Sequence, residues 1–460
     1  MPELRPCTFG CCPASSRHMK LLPRRAHLRH HHDKALLLKK YYKWILWSAL
    51  SIYLFFSTSS SSSSSSSLFR PLPLRTSLPL KTTPRALAEA QQLSSFTTSS
   101  AAAALRIYVY ELPSSYNRDW LSNPRCRNHL FASEVAIHEA LLEYPGRVFD
   151  PNEADFFFVP VYVSCNFSTP NGFPALHHAR PLISSAVRFI SAGLPFWNRS
   201  RGRDHVFVAS HDFGACFHAM EDVAIADGIP EFMRESIILQ TFGVSSPHPC
   251  QQAENVLIPP YVTPDIEEQW PAPEKAKRDI FAFFRGKMEV HPKNISGRFY
   301  SKRVRTEILR RYGGNKKFYL QRKRFDGYRA EIARSVFCLC PLGWAPWSPR
   351  LVEAVALGCV PVVIADGIRL PFPEAVRWPE ISLSVAEADV GRLEEVLDRV
   401  AATNLSAVQR NLWDPARRNA LLFHQPMAAG DATWHALRAL EGKLGRSWRR
   451  RRQPGDTAWR

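Results

Sequence analysis

From Ser348 to Phe372 the chain reads SPRLVEAVALGCVPVVIADGIRLPF, and this order of signals leaves little choice of local fold. Ser348 suits a helix N-cap, and Pro349 suits the first helical position. Leu351, Val352, Val355 and Ala356 make one apolar face, and Gly358 supplies the stop. Cys359 to Ile364 is a short, unbroken apolar run, the pattern of a parallel strand buried on both faces. Asp366 and Gly367 follow at its carboxyl end, where α/β sheets place ligands. Arg350 and Glu353 are two charges on a helix otherwise built for a core. A helix N-terminus with an arginine beside it suits a diphosphate. A carboxylate farther along the same helix suits ribose hydroxyls. Together, Ser348, Arg350 and Glu353 point to a nucleotide-sugar site.

The 460 residues exceed one small domain, and a 45% apolar fraction supports a sizeable core. The net charge of +19 is concentrated at the ends, with +8 in residues 1–43 and +5 in residues 446–460. That leaves +6 for the body, which suits an enzyme of anionic substrates and not a nucleic-acid binder. The exposed Arg449–Arg452 run reads as a solvated tail.

Residues 1–43 form a basic tail ahead of WILWSALSIYLFF, Trp44 to Phe56, an uncharged apolar run. Extended through Ser57 and Thr58, residues 44–58 read as a type II signal-anchor, with the basic end cytoplasmic and the rest lumenal. A cleaved signal peptide is the alternative. Residues 59–104 are a Ser/Pro-rich stem that cannot build a core. Asn-X-Ser sequons at Asn166, Asn198, Asn294 and Asn404 agree with a lumenal body. So do seven cysteines beyond the stem. Cys126, Cys165, Cys216 and Cys250 lie in loop-like contexts and are the better disulfide candidates. Cys338 and Cys359 lie in apolar runs and read as buried thiols.

Folded sequence begins at Leu105. Strand-like runs (RIYVYEL, Phe156–Val163, HVFVA, VLIPPYV) alternate with helical periodicity at Ser133–Leu142 and about 180–192. After a Pro- and Glu-rich break at 265–277 the alternation resumes. DIFAFFRGK, KKFYLQRK and VFCLCPLG read as strands; 300–312, Tyr328–Ser335, 390–402 and Ala432–Lys443 read as helices. The fold class is therefore α/β, with two Rossmann-like domains facing a cleft: residues 105–275, on the acceptor side, and 276–445, which bind the nucleotide sugar.

Two further motifs carry chemistry. Arg285 and Gly286 end an apolar strand, and a strand-to-glycine turn exposes amides that, with Arg285, suit a phosphate. In SHDFG, His211 and Asp212 emerge at a strand's carboxyl end. Either would serve as the base that an inverting sugar transfer needs, and a structural loop is the alternative. Asp155, at the start of a strand, reads as structural. There is no literal Asp-X-Asp to hold a metal at a diphosphate, although Glu153/Asp155 and Glu387/Asp389 form Glu-X-Asp pairs. We therefore expect no metal and no cofactor, with helix dipole and arginines offsetting leaving-group charge.

In order along the chain, RIYVYELP, NEADFFFVPVY, DHVFVASHDFG, FFRGK, FCLCPLGWAPWSPRLVEAVALGCVPVVIAD and LPF resemble the motifs of plant exostosin-family (GT47) glycosyltransferases, over roughly residues 105–440. The resemblance implies a GT-B fold, Golgi type II topology, a UDP-sugar donor and inverting transfer. It is nearest to the glucuronoxylan-synthesis branch, the fragile-fiber or irregular-xylem type. This implies glucuronate or xylose as the sugar, a xylan oligosaccharide as acceptor, and the Golgi membrane and other xylan-synthesis glycosyltransferases as partners. Arg285, Ser348, Arg350 and Glu353 fall on its donor motifs, whereas no motif fixes the base. Trp344 and Trp347 either shape the acceptor cleft or pack in the core. A galactosyl- or arabinosyltransferase of the same family, or a non-catalytic scaffold, are the alternatives.

Overall fold

Long apolar runs without alternation, such as VPVVI, can only be strands covered on both faces, and the computed structural model places them so. It describes residues 105–166, 179–218, 221–267, 270–289, 300–323 and 325–452. The expected tail, anchor and stem lie outside these residues, as does Asn294. Among the described residues no helix is long and apolar enough to cross a membrane.

The first sheet contains β1 (Ile107–Val109), β2 (Arg147–Val148), β3 (Phe156–Phe158), β4 (His205–Ala209), β5 (Ile237–Gln240) and β6 (Val256–Leu257). Their order is β2-β1-β3-β4-β5-β6, with every neighbour parallel. The second contains β7 (Ile280–Arg285), β8 (Phe318–Gln321), β9 (Ser335–Pro341), β10 (Val360–Ile364) and β11 (Leu383–Ser384). Their order is β11-β10-β9-β7-β8, again all parallel. Both sheets thus wind outward in two directions from their first strand. The reversals fall between β1 and β3 and between β7 and β9, where open α/β sheets leave a crevice at the strand carboxyl ends.

The helices that matter here are α1 (Ser133–Leu142), α2 (Ala179–Gly193), α3 (Val304–Tyr312), α4 (Tyr328–Ala333), α5 (Arg350–Ala356), α6 (Leu393–Thr403) and α7 (Ala432–Glu441). Two expected elements are shorter than their apolar patterns. β3 stops at Phe158 because Pro160 has no N–H to continue the ladder. α3 starts only at Val304, because Ser301, Lys302 and Arg303 turn through positive φ. In α7 the buried Asp431 caps the Trp434 N–H at 2.8 Å. Ala432, Ala436, Leu437 and Leu440 then pack with Ile107, Val109 and Phe156 of the first sheet, so the chain returns to its first half after building the second.

Cys216–Cys250 is one disulfide, as its loop context allows. Cys338–Cys359 is another, and here the expected buried thiols are corrected. The two residues sit in β9 and just ahead of β10, adjacent parallel strands whose pairing no local pattern reveals.

The C-terminal arginines are also corrected. Arg449 reaches Asp155 Oδ1 through Nη2 at 2.5 Å and Nε at 3.0 Å, and Arg450 Nε reaches the same oxygen at 3.0 Å. Oδ2 accepts the Arg106 N–H at 3.0 Å. Asp155, fully buried at the foot of β3, is structural as read, and its partners are the residues that look like a free tail. Removing one member of a buried pair leaves the rest uncompensated, at a cost of about 3–5 kcal/mol. Asp155→Asn should lower the unfolding free energy by about 3 kcal/mol in urea titration. The same substitution in an Arg449→Ala, Arg450→Ala background should cost much less, since the partners are already gone.

Candidate functional site

The carboxyl end of β7 delivers Arg285 and Gly286; that of β9 leads through Leu342–Ser348 into α5. These are the two strands flanking the second sheet's reversal, so all five residues expected at the donor gather at one crevice. Arg350 is buried, at 7% exposure. Its Nη2 donates to the Arg285 carbonyl, and its Nε to the Tyr328 hydroxyl at 3.1 Å. Tyr328 in turn donates to Glu353 Oε2 at 2.9 Å. The guanidinium lies 4.4 Å from the Phe284 ring centroid. Its Nη1 is buried and has no hydrogen-bond partner among the described residues. Gly286 leaves room for this packing: a Cβ there would stand 3.3 Å from Arg350 Nη2 and 3.1 Å from Phe284, a tight fit.

The other expected residues take distinct positions. Arg285 is held by Glu331, with Nε–Oε2 at 2.6 Å and Nη2–Oε1 at 2.5 Å, and by the Lys323 carbonyl. Its charge is therefore already matched by a carboxylate. Ser348 is buried with Oγ 3.4 Å from the Arg350 N–H, a loose cap. Glu353 is half-buried. Burial pushes its carboxyl above the usual range, against the pull of Arg350 and the Tyr328 bond. Its Oε1 has no partner among the described residues.

Arg305, not singled out from sequence, completes the group. It is 6% exposed and meets no carboxylate. Nε donates to Leu342 O at 2.8 Å, Nη2 to Pro341 O at 3.0 Å, and Nη1 approaches Lys287 O at 3.4 Å. Burial pushes it down to about 10, and Arg350 adds to that. It approaches the same Phe284 ring, at 5.2 Å. Nothing in residues 300–312 separates Arg305 from the neighbouring surface arginines except its place on the inward side of α3, beside Val304 and Ile308. Tyr328 was equally hidden, as one aromatic in a short helix.

The first sheet contributes the loop after β4. His211 is buried at 2%, its ring 4.7 Å from Phe131. Burial holds its imidazole down to about 3, so it stays neutral. Asp212 is half-buried, in a recess whose low polarity pushes the carboxyl up to about 7. The carboxyl has no hydrogen-bond partner among the described residues. Its main-chain oxygen accepts the Trp347 indole N–H at 3.3 Å, which brings the expected base and the expected donor helix together across the two halves. Trp347 packs with Phe213, Phe242 and Ala345, so it is core; Trp344 stays partly exposed against Tyr300 at 5.0 Å. Nearby, Ser245 N donates to Gly367 O at 2.7 Å and Arg369 N to Gly243 O at 2.9 Å, joining the loops after β5 and β10. Of the sequons, Asn198 and Asn404 are exposed; Asn166 ends the helical turn Val163–Asn166.

A family model described as the exostosin GT47 domain matches residues 101–400. The chain is 60% identical over 435 residues to the "Probable glucuronoxylan glucuronosyltransferase IRX7" of Arabidopsis thaliana, covering 91% of this chain and 97% of that protein. It is 67% identical over 354 residues to a "Probable glucuronosyltransferase" of Oryza sativa subsp. japonica, covering 77% of this chain and 83% of that one. A "Probable beta-1,4-xylosyltransferase" of Arabidopsis thaliana is 42% identical over 341 residues, covering 74% of this chain and 82% of that one. Among solved structures, Anabaena HepE in complex with UDP-glucose matches over 74% of this chain and all of that one, at 10% identity and a TM-score of 0.37. With the family model spanning most of the folded body and relatives this close along nearly the whole length, the chain belongs to the exostosin GT47 family.

Proposed function

We propose that this protein is a GT-B, inverting glycosyltransferase that moves glucuronate or xylose from a UDP-sugar to a xylan-type acceptor. It works as a Golgi type II membrane protein alongside other xylan-synthesis enzymes. The names of its relatives support the reaction class and the polymer. The observation that carries the donor assignment is the buried pair Arg305 and Arg350. Two guanidiniums share one aromatic ring at the sheet reversal, and neither touches a carboxylate. Burying such charge costs several kcal/mol, roughly, unless an anion offsets it. A diphosphate is that anion, and Arg350 Nη1 is a donor without a partner among the described residues.

In this reading Arg350 and Arg305 stabilise the charge that accumulates on UDP as the sugar leaves. Arg285, matched by Glu331, positions Arg350 through its carbonyl. Glu353 offers Oε1 to the ribose while Tyr328 holds Oε2. Asp212 takes the proton of the acceptor hydroxyl. A carboxyl near 7 is a better base at neutral pH than an ordinary one, whereas His211, held neutral and sealed against Phe131, is not placed for the task. The acceptor oxygen then attacks C1 in line, opposite UDP. We propose no metal in this step.

Purified full-length protein should bind UDP. Arg350→Ala with Glu353→Ala should abolish binding, and Arg305→Gln should weaken it about tenfold or more. If the intact protein fails to bind UDP in calorimetry, the enzyme reading falls and the scaffold alternative stands. Transfer to xylo-oligosaccharides should survive EDTA; loss of activity there would overturn the metal-free step.

Asp212 must be ionised to act as a base, so kcat/KM should rise with pH through about 7 and level off above it. Asp212→Asn should lose about 10²–10⁴-fold in kcat and that acid limb with it. Its folded-state pKa lies above the unfolded value, so the folded state holds the extra proton and stability falls as pH rises from about 4 to about 7. Asp212→Asn should therefore raise Tm at pH 8, and the gain should shrink as pH falls and vanish at about pH 4.

A further inference from the structure

We infer that Cys126 and Cys165 close a third disulfide, which fixes the support beneath the loop carrying Asp212. Cys126 lies in the helical turn Arg125–Asn128, and Cys165 lies in Val163–Asn166. Both are buried, in one apolar cluster with Val135 and Tyr162. Neither belongs to a disulfide in the structure, and both line the same small cavity beside His129 and Phe131. The two helical turns pack against one another, so side-chain rotation can bring the sulfurs to bonding distance. The same chain carries Cys216–Cys250 and Cys338–Cys359, so it folds where thiols are oxidised.

Cys340 shows what a solitary thiol looks like here. It is buried and contacts the Cys338 carbonyl at 3.4 Å, and the adjacent Cys338 is already joined to Cys359. Burial pushes its thiol up to about 12, which makes it inert.

The chemistry balances with an ordinary disulfide oxidant, either a protein disulfide or glutathione disulfide. The Cys126 thiolate attacks one oxidant sulfur and forms a mixed disulfide. The Cys165 sulfur then displaces the oxidant's second thiolate. One Sγ–Sγ bond forms as the oxidant's S–S bond breaks, and the two thiol protons and two electrons pass to the oxidant, leaving it a dithiol, or two thiols in the case of glutathione.

The consequence reaches the site through hydrogen bonds. Glu134 accepts the N–H groups of Ser164 at 3.1 Å and Cys165 at 2.8 Å. Ser164 Oγ meets Ser210 Oγ at 2.9 Å, and Ser210 also donates to Phe131 O at 2.9 Å. Ser210 directly precedes His211 and Asp212. The bond would join the two segments that Ser210 leans on.

The test is cysteine mapping of the full-length secretory-expressed protein, and it does not depend on any assigned activity. The protein is denatured without reductant, alkylated, digested, and read by mass spectrometry. Cys126 and Cys165 should appear in one cross-linked species while Cys340 takes the label. The inference is overturned if Cys126 and Cys165 are both alkylated while the other two disulfides remain intact, or if either is found bonded elsewhere. As a second readout, Cys126→Ser and Cys165→Ser should each lower Tm by roughly 5 °C, and the double variant by no more than either alone. Additive losses would mean that the two thiols act separately.

Discussion

Arg350 is the contact on which the second half of the molecule turns. One guanidinium binds the last carbonyl of β7, the hydroxyl of α4 and the face of Phe284. It thereby ties the strand on one side of the sheet reversal to the helix that follows the strand on the other. Ordinary fold stability does not ask for this. The sheet is held by Phe283, Phe337, Leu339, Val362 and their neighbours, which are fully buried and need no charge. Burial disfavours both cations; Tyr328, Cys340 and Glu353 offset it for Arg350, whereas Arg305 stays pushed down, with Arg350 adding to that. In the proposed reaction, what the pair offers in return is preorganisation: donors fixed where negative charge would develop, with no reorientation needed.

The same logic explains which residues a reader of the sequence can find. The parallel sheets are legible because strands buried on both faces must be continuously apolar. Arg350 and Glu353 are legible because a charge on an apolar helix is a local contradiction. Arg305 is not, since it sits in a basic stretch where each charge appears to belong to solvent. Tyr328 is not, because a tyrosine contradicts nothing. Cys338–Cys359 and the Asp155 clamp fail for another reason. Each joins residues whose nearness depends on strand order or on the chain's return to its first half, neither of which is written in a local window. Arg285 lies between these cases. Its position at the end of β7 follows from the sequence, but its carboxylate partner Glu331 is 46 residues away and comes into view only in three dimensions.

The two halves meet through apolar packing and main-chain bonds, not through ion pairs between named site residues. Trp347, Phe213, Phe242 and Ala345 form one cluster, and the loops after β5 and β10 exchange backbone bonds. Such contacts fix distance without consuming the charges assigned to substrate in the proposed reaction. They also place Asp212 next to Trp347 while leaving its carboxyl unsatisfied. A hydrogen bond to that carboxyl would stabilise the fold and lower its pKa, and would make it a weaker base at neutral pH in the proposed role. The unsatisfied state is what a stability–activity compromise looks like at a single residue.

This division of labour sets the roles of the crosslinks. Cys216–Cys250 closes the segment that follows His211 and Asp212 and carries β5, and Cys338–Cys359 joins β9 to the residue just ahead of β10, on either side of α5. Each lies close in sequence to one of two groups without a hydrogen-bond partner among the described residues, the Asp212 carboxyl and Arg350 Nη1. A covalent bond restrains the chain in the unfolded state and does not change the electrostatics of the folded one. It can therefore offset the destabilisation of a poised site without quenching it, which a salt bridge at the same place could not do.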